Sequence, residues 1–337
     1  MILVDAVYIN MGGGLVLLRY LVKRLQERDI PFKLILDSRI GEAFPDVPDR
    51  IVLSPSIRSR YHYYESLPSD IDAVFCFGNV PPPVRLGIPV YSYFHNVNML
   101  TLADCRDRKQ KFLFWLKRTF IKSLRRNTDY WIVQTDNTEN ALLKVIPGAT
   151  TYVFPFYDSS VFHNPVKEKR NEFIFVGNVS GSKGHFELVE AWRLLSERGH
   201  SPVLHLTYEE KGNEPLTSMI EKANANGAKI INHGIISHDK VLALYRDCKA
   251  TVYPSKNESF GLGLVEAMES GCDVIGADLP YVHSICKPSE VFDPTSPQSI
   301  CDAVLRYFES PKATVQLVRD MVDDMIDEIL NTGSPKV

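Results

Sequence analysis

Between residues 257 and 271 the chain reads Asn-Glu-Ser-Phe-Gly-Leu-Gly-Leu-Val-Glu-Ala-Met-Glu-Ser-Gly. Two carboxylates, Glu258 and Glu266, bracket a glycine-containing turn that leads into a short helix. Ahead of them, residues 250–255 read as a buried strand ending in a Pro-Ser loop. The first amides of a helix have no intrahelical partners, and the helix dipole adds partial positive charge there. An anion at that end is stabilised by both. Gly261 and Gly263 lack a Cβ, which lets backbone approach a ligand closely. With a helix starting near Leu262, Glu266 lies roughly 6 Å along its axis. A diphosphate at the helix end would leave an attached ribose beside that first turn, where Glu266 can accept from two hydroxyls. Glu258 sits before the turn, on the far side of the phosphate, where a donor sugar would lie. Gly271 closes the helix as the residue after its C-cap. Taken alone, the motif fits equally well two solvated glutamates around a turn.

The elements that must position these groups alternate along the chain. Residues 1–10 read as a strand, followed by Met11-Gly12-Gly13-Gly14 and a helix over 15–27 with apolar residues at helical spacing. Further strands are expected at 32–36, 72–78, 90–94 and 130–134, and a helix at 137–145. The stretch 158–170 is polar and non-periodic and reads as an interdomain linker. A second series starts at residue 173: helix 184–198, strand 203–207, helix 216–226, strand 229–232, helix 240–246, strand 250–253, the helix holding Glu266, and strand 272–277. Helices over 297–310 and 312–330 finish the chain. Such alternation implies parallel sheets covered on both faces. Ligands in open parallel sheets bind outside the carboxyl ends of the strands, so two such domains facing each other would make a cleft. The expected division is a first domain over 1–160, a second domain over 161–310, and a C-terminal helix over 311–337 that packs back on the first domain.

Composition fits this picture. A chain of 337 residues is long for one core. Its net charge of −3 gives no global pull toward nucleic acid. No apolar run approaches the 18 or so residues of a membrane span. The start resembles a buried strand, not a signal peptide. The six cysteines, at 76, 105, 248, 272, 286 and 301, show no paired spacing. That argues against metal binding and a disulfide framework, and for reduced thiols in a cytoplasmic protein.

With these residues in view, the chain resembles the retaining family-four glycosyltransferases of the GT-B fold. The likeness lies in the Glu258 and Glu266 pair and in the order of Phe-Val-Gly-Asn-Val-Ser-Gly-Ser-Lys-Gly (175–184), His-Gly-Ile-Ile-Ser (233–237), Tyr-Pro-Ser-Lys-Asn-Glu-Ser-Phe-Gly-Leu (253–262), Glu-Ala-Met-Glu-Ser-Gly (266–271) and Ala-Asp-Leu-Pro-Tyr-Val (277–282). The first half is similar more loosely, through Gly12–Gly14, His95 after a strand and Val-Gln-Thr-Asp (133–136). The resemblance implies two facing Rossmann-like domains, the first (1–160) binding the acceptor and the second (161–310) a nucleoside-diphosphate sugar as donor, with no metal and no other cofactor. It implies that Glu258 contacts the donor sugar, that Phe260, Gly261 and Leu262 offer backbone amides, and that Glu266 holds the ribose. Lys183 would face the diphosphate, His95 would lie on the sugar side, and Gly13 and Gly14 would bring backbone to the phosphates. The family commonly has an arginine where this chain has Asn178. An amide can hydrogen-bond an oxygen but cannot neutralise charge on a leaving group. Lys183 must then carry that task with the helix end, or with Arg19 or Lys256.

Residues 106–126 hold nine basic residues and one acidic residue, with Phe112, Leu113, Trp115, Leu116, Phe120, Ile121 and Leu124 as a broad apolar stripe. This is an amphipathic helix that either packs on its own domain or lies on anionic lipid through Lys117, Arg118, Lys122, Arg125 and Arg126. The second option would suit a lipid-linked glycan acceptor and a peripheral position at the inner face of the membrane. The expected function is sugar transfer in bacterial surface polysaccharide assembly, such as O-antigen or capsule. A catalytically inactive nucleotide-sugar-binding subunit is the alternative that Asn178 supports. A nicotinamide-dependent dehydrogenase lacks its glycine fingerprint here.

Overall fold

The computed structural model of the protein describes residues 1–102, 108–162 and 169–333. The chain forms two units, Met1–Asp158 with the segment from Arg319 onward, and Ser159–Val318.

The first unit carries a seven-stranded, all-parallel sheet in the order β3-β2-β1-β4-β5-β6-β7. Its strands are β1 (Ile2–Ala6), β2 (Phe32–Asp37), β3 (Arg50–Leu53), β4 (Ala73–Cys76), β5 (Val90–Tyr93), β6 (Tyr130–Val133) and β7 (Thr151–Val153). Helices α1 (Gly12–Glu27), α2 (Ile57–Glu65), α3 (Asn98–Thr101), α4 (Arg108–Ser123) and α5 (Asp136–Val145) connect them. Strands β1 and β4 are buried along their whole length, as a sheet covered on both faces requires.

The second unit has a six-stranded parallel sheet ordered β10-β9-β8-β11-β12-β14. Its elements are β8 (Arg170–Val176), α6 (His185–Glu197), β9 (Val203–Thr207), α7 (Glu214–Ala225), β10 (Lys229–Asn232), α8 (His238–Asp247), β11 (Cys248–Tyr253), α9 (Leu262–Glu269), β12 (Asp273–Ala277), α10 (Pro280–His283), β14 (Glu290–Phe292) and α11 (Pro297–Glu309). A short antiparallel pair, β13 (Cys286–Lys287) with β15 (Val315–Gln316), lies beside it. In both sheets strand order reverses beside the unit's first strand, between β1 and β4 and between β8 and β11. Such topological switch points hold ligands at the carboxyl ends of the strands.

Three local readings of the sequence are corrected. Gly12–Gly14 is the first turn of α1, not a loop before it. The single helix expected over 312–330 is the strand β15 and a separate helix α12 (Val322–Gly333). Arg24 and Arg28 of α1 pair with Asp323 and Asp327 of α12, and the Tyr91 hydroxyl donates to the Glu328 carbonyl. The stretch read as a linker holds structure at both ends. Val161 and Phe162 pack against the α8 side of the second unit's core. Lys169 donates to the carbonyls of Tyr245, Arg246, Cys248 and Ser270, closing the C-terminal ends of α8 and α9. Residues 163–168 lie outside the described residues.

Candidate functional site

At the second unit's switch point, β8 ends at Val176 and Asn178 follows, exposed. The chain then turns through Lys183 into α6. Gly184 makes that turn possible, with φ +71°, and a Cβ there would meet the Pro254 carbonyl oxygen at 2.5 Å. This close approach brings Lys183 to the end of β11, where its ammonium pairs with Glu258. The same Glu258 oxygen, Oε1, accepts from Ser255 Oγ at 2.7 Å and from the Tyr253 hydroxyl at 3.3 Å. Three donors converge on one oxygen and leave Oε2 outside these bonds. The pair is mostly buried, with side-chain exposures of 25% for Lys183 and 16% for Glu258, so its field is weakly screened.

Helix α9 begins at Leu262, as its spacing predicts. Its N-cap, Gly261, has φ +71°, brings no capping side chain, and leaves a first turn without acidic residues. The helix end is therefore open to an anion. Phe260 is buried beside it. Gly263 has a different use from the expected one. It faces the rings of Tyr245 and Tyr253, where a Cβ would stand 3.3–3.4 Å away, so it serves helix-on-strand packing. One turn on, Glu266 is buried and accepts from His238 Nε2 at 2.8 Å. Gly271, at φ +80°, ends the helix as expected.

The proposed helper cations fare differently. Lys256 is committed to Glu187 of α6 at 2.6 Å. Arg19 is exposed on α1. His185, at the start of α6, donates to the Gly177 carbonyl, and burial pushes its pKa down to about 4.

In the first unit the carboxyl ends of β1, β2, β4 and β5 surround a cavity of about 800 Å3. His95 lines it. Its backbone N–H donates to Asn79 Oδ1 at 2.7 Å, and Asn79 Nδ2 donates to His95 Nε2 at 3.2 Å. These bonds put the ring proton on Nδ1. That atom is buried and has no partner among the described residues. Burial holds the imidazole neutral, with a pKa near 4. Gly14 lies against the same ring, while Gly12 and Gly13 are exposed at an N-terminus that has no side-chain cap.

Helix α4 buries one residue, Ile121. Phe112, Leu113, Trp115 and Leu116 are 43–59% exposed. Lys117, Lys122, Arg125 and Arg126 are exposed as well, whereas Arg118 turns back to the Leu100 carbonyl at 3.2 Å. Arg106 and Asp107 lie outside the described residues.

Several neighbours of these residues escaped the sequence reading. Tyr253 and Ser255 stood in the quoted motif without a role. His238 follows the quoted 233–237 segment directly. Asn79 and Arg39 had no signal of any kind. Glu172, His205 and Cys248, far apart in sequence, bring three ligand-type atoms within 4.8 Å of one another. Their bonding is already that of a ladder: His205 joins Glu172 through Nε2 and His233 through Nδ1, each at 2.9 Å. Burial pushes the Cys248 thiol up to about 12, which keeps it protonated.

The two sheets and their topology define the fold as GT-B. Residues 157–321 match the family model Glycosyl transferases group 1. Over 178 residues the chain is 29% identical to the serotype-specific mannosyltransferase WbdA of Escherichia coli, a match covering 50% of this chain and 22% of WbdA. The chain thus spans about a fifth of that relative's length. Among solved structures, sucrose-phosphate synthase from Thermosynechococcus elongatus is similar with a TM-score of 0.67 at 16% identity, covering 92% of this chain and 90% of that one. HepE of Anabaena, solved in complex with UDP-glucose, gives 0.67 at 14% identity over the same shares.

Proposed function

We propose that this protein is a retaining transferase that moves a hexose-type sugar from a nucleoside diphosphate to a hydroxyl of a glycan or lipid-linked glycan. The observation that carries the reading is the Lys183–Glu258 pair beside the open N-terminus of α9. Such a transfer needs stabilisation of an oxocarbenium-like sugar and of the departing diphosphate. Lys183 and the Gly261–Leu262 amides serve the diphosphate, with Gly13 and Gly14 as further amides. Asn178 adds a hydrogen bond without charge. Glu258, its Oε1 fixed by three donors, turns Oε2 toward the sugar. Glu266, oriented by His238, accepts from the ribose. Neutral His95 offers its Nδ1–H as a donor on the sugar side. In a same-face reaction the leaving phosphate takes the acceptor's proton. No metal or other cofactor enters this scheme.

The similarity to a serotype-specific mannosyltransferase supports a place in surface polysaccharide assembly. The purified protein is expected to hydrolyse or transfer from a nucleoside-diphosphate sugar. Glu258→Gln and Lys183→Ala are each expected to lower kcat on the order of 10²–10³-fold with fold retained. Wild-type protein that binds nucleoside diphosphates but never turns over would favour the inactive-subunit alternative.

The exposed apolar and basic residues of α4 favour a second element of the proposal: adsorption onto anionic lipid at the inner face of the membrane. No described helix is long and apolar enough to cross a membrane. Each basic residue near such a surface is worth about 1 kcal/mol. Charge reversal at Lys117, Lys122, Arg125 and Arg126 is expected to abolish flotation with anionic vesicles. Unchanged flotation refutes the idea.

A further inference from the structure

We propose that the first-unit cavity binds the acceptor through a phosphate on it, held between Arg39 and Lys117. The inference rests on the reading of this unit as the acceptor domain. It adds the chemical class of the acceptor.

The cavity's charge is one-sided. Arg39 and Lys117 line it, and no carboxylate does. Arg39 is pre-set for recognition. Buried Asp37 takes its Nε at 2.9 Å and its Nη2, which fixes the guanidinium plane and leaves Nη1 outside those bonds. The Asp37 carboxylate is shared further with the backbone N–H groups of Arg39 and Tyr8. Its charge is therefore spread over several donors, and the half-exposed guanidinium keeps one free edge. Lys117 has no ion pair among the described residues; its ammonium lies 5.7 Å from the Phe114 ring.

Two further features mark the cavity as a built site. Tyr8 and Asn79, both lining it, have φ of +88° and +66°. Left-handed backbone is costly at a bulky residue such as Tyr8 and gathers where a ligand must be met. The buried Nδ1 of His95, in the same lining, is a donor with no acceptor among the described residues. The same lining also holds apolar Ile57, Met99, Phe120 and Ile121. Phe120 and Ile121 lie on α4 about one turn from Lys117. A phosphate joining a sugar to an apolar anchor meets both the cationic and the apolar lining. A phosphate on a free glycan meets only the cationic lining.

The test is calorimetric titration of the full chain with three probes below their micelle limits: decyl phosphate, neutral decyl glucoside and inorganic phosphate. Decyl phosphate is expected to bind at least tenfold more tightly than decyl glucoside. Arg39→Gln and Lys117→Gln are each expected to weaken decyl phosphate by about fivefold or more and leave decyl glucoside unchanged. Lys144→Gln, exposed on α5 and outside the cavity, should change nothing. Decyl phosphate binding more tightly than inorganic phosphate assigns the site to an anchored acceptor; equal binding of the two assigns it to a phosphorylated glycan. No preference for the phosphate probes, or a preference that survives both cavity variants, overturns the proposal, as does equal weakening by Lys144→Gln. Lys117→Gln is a surface change on a helix, so a folding defect in Arg39→Gln leaves the test intact. No donor or transfer is involved, so the outcome is separate from the kinetics of Glu258 and Lys183.

Discussion

The two switch points share a topology and differ in chemistry. The one between β8 and β11 is small and ionic: Lys183, Glu258, Ser255 and Tyr253 close on one another beside a bare helix end. The one between β1 and β4 opens onto a large cavity, with a neutral histidine, an asparagine and strained backbone on its rim. Its own ion pair lies beneath. Arg60 and Asp5, 3% and 1% exposed, are joined at 2.7 Å. Arg60 also donates to the carbonyls of Val80 and Pro81, so this pair holds the loop that forms the cavity floor. In the second unit the ion pair lies at the switch point itself. In the first it is buried beneath the cavity as a support.

The contrast can be broken by substitution, and the largest effect belongs to the buried pair. Asp5→Ala leaves Arg60 buried without its carboxylate and is expected to cost about 3–5 kcal/mol in urea unfolding. Lys183→Ala, at the more open pair, should cost much less. A result in the reverse order would mean that the second unit's pair is the structural one.

Next come two glycines with one geometry. A Cβ on Gly78 would stand 2.3 Å from the Val7 carbonyl oxygen, and one on Gly184 would stand 2.5 Å from that of Pro254. Alanine at either is expected to cost about 1–3 kcal/mol. Gly14→Ala, whose Cβ meets its neighbours at an ordinary 3.4 Å, should be nearly neutral in stability. Equal stability of all three variants would remove the close backbone approach from the account.

A smaller effect should appear with pH. His95 in one unit and His185 in the other are held neutral by burial, each with a pKa near 4. The unfolded chain binds their protons near pH 6.5. Stability from each is complete above that value and is lost as pH falls toward 4, by about 1–2 kcal/mol at pH 5. Unfolding at pH 7 and pH 5 is expected to show this slope, and His95→Gln and His185→Gln should each flatten part of it. A slope unchanged in both variants would assign it elsewhere.

Much of the second unit was legible because its site is written in one stretch. Glu258, the turn and Glu266 lie within nine residues, and spacing on a helix fixes their separation. The bond between Lys183 and Glu258 was not legible, since it spans 75 residues and depends on the Gly184 turn. In the first unit α2 left no periodic signal, because the residues it buries are Arg60 and Tyr64. A helix with a buried arginine reads as a polar segment. The helix expected over 312–330 failed for the opposite reason: Val315 and Gln316 form a short strand paired with β13, not part of a helix face. The cavity was hidden because its lining comes from the ends of separate strands.

The central claim is that the Lys183–Glu258–Glu266 cluster binds the nucleoside diphosphate. Its most direct test is a thermal-shift panel of uridine, guanosine and adenosine diphosphates on wild type, Lys183→Ala and Glu266→Gln. At 100 times its dissociation constant, one diphosphate should stabilise wild type by about 2.7 kcal/mol. Lys183→Ala should lose most of that shift for the diphosphate and little for the bare nucleoside, and Glu266→Gln should weaken both. No shift with any nucleotide, or the same shift in both variants, would contradict the account.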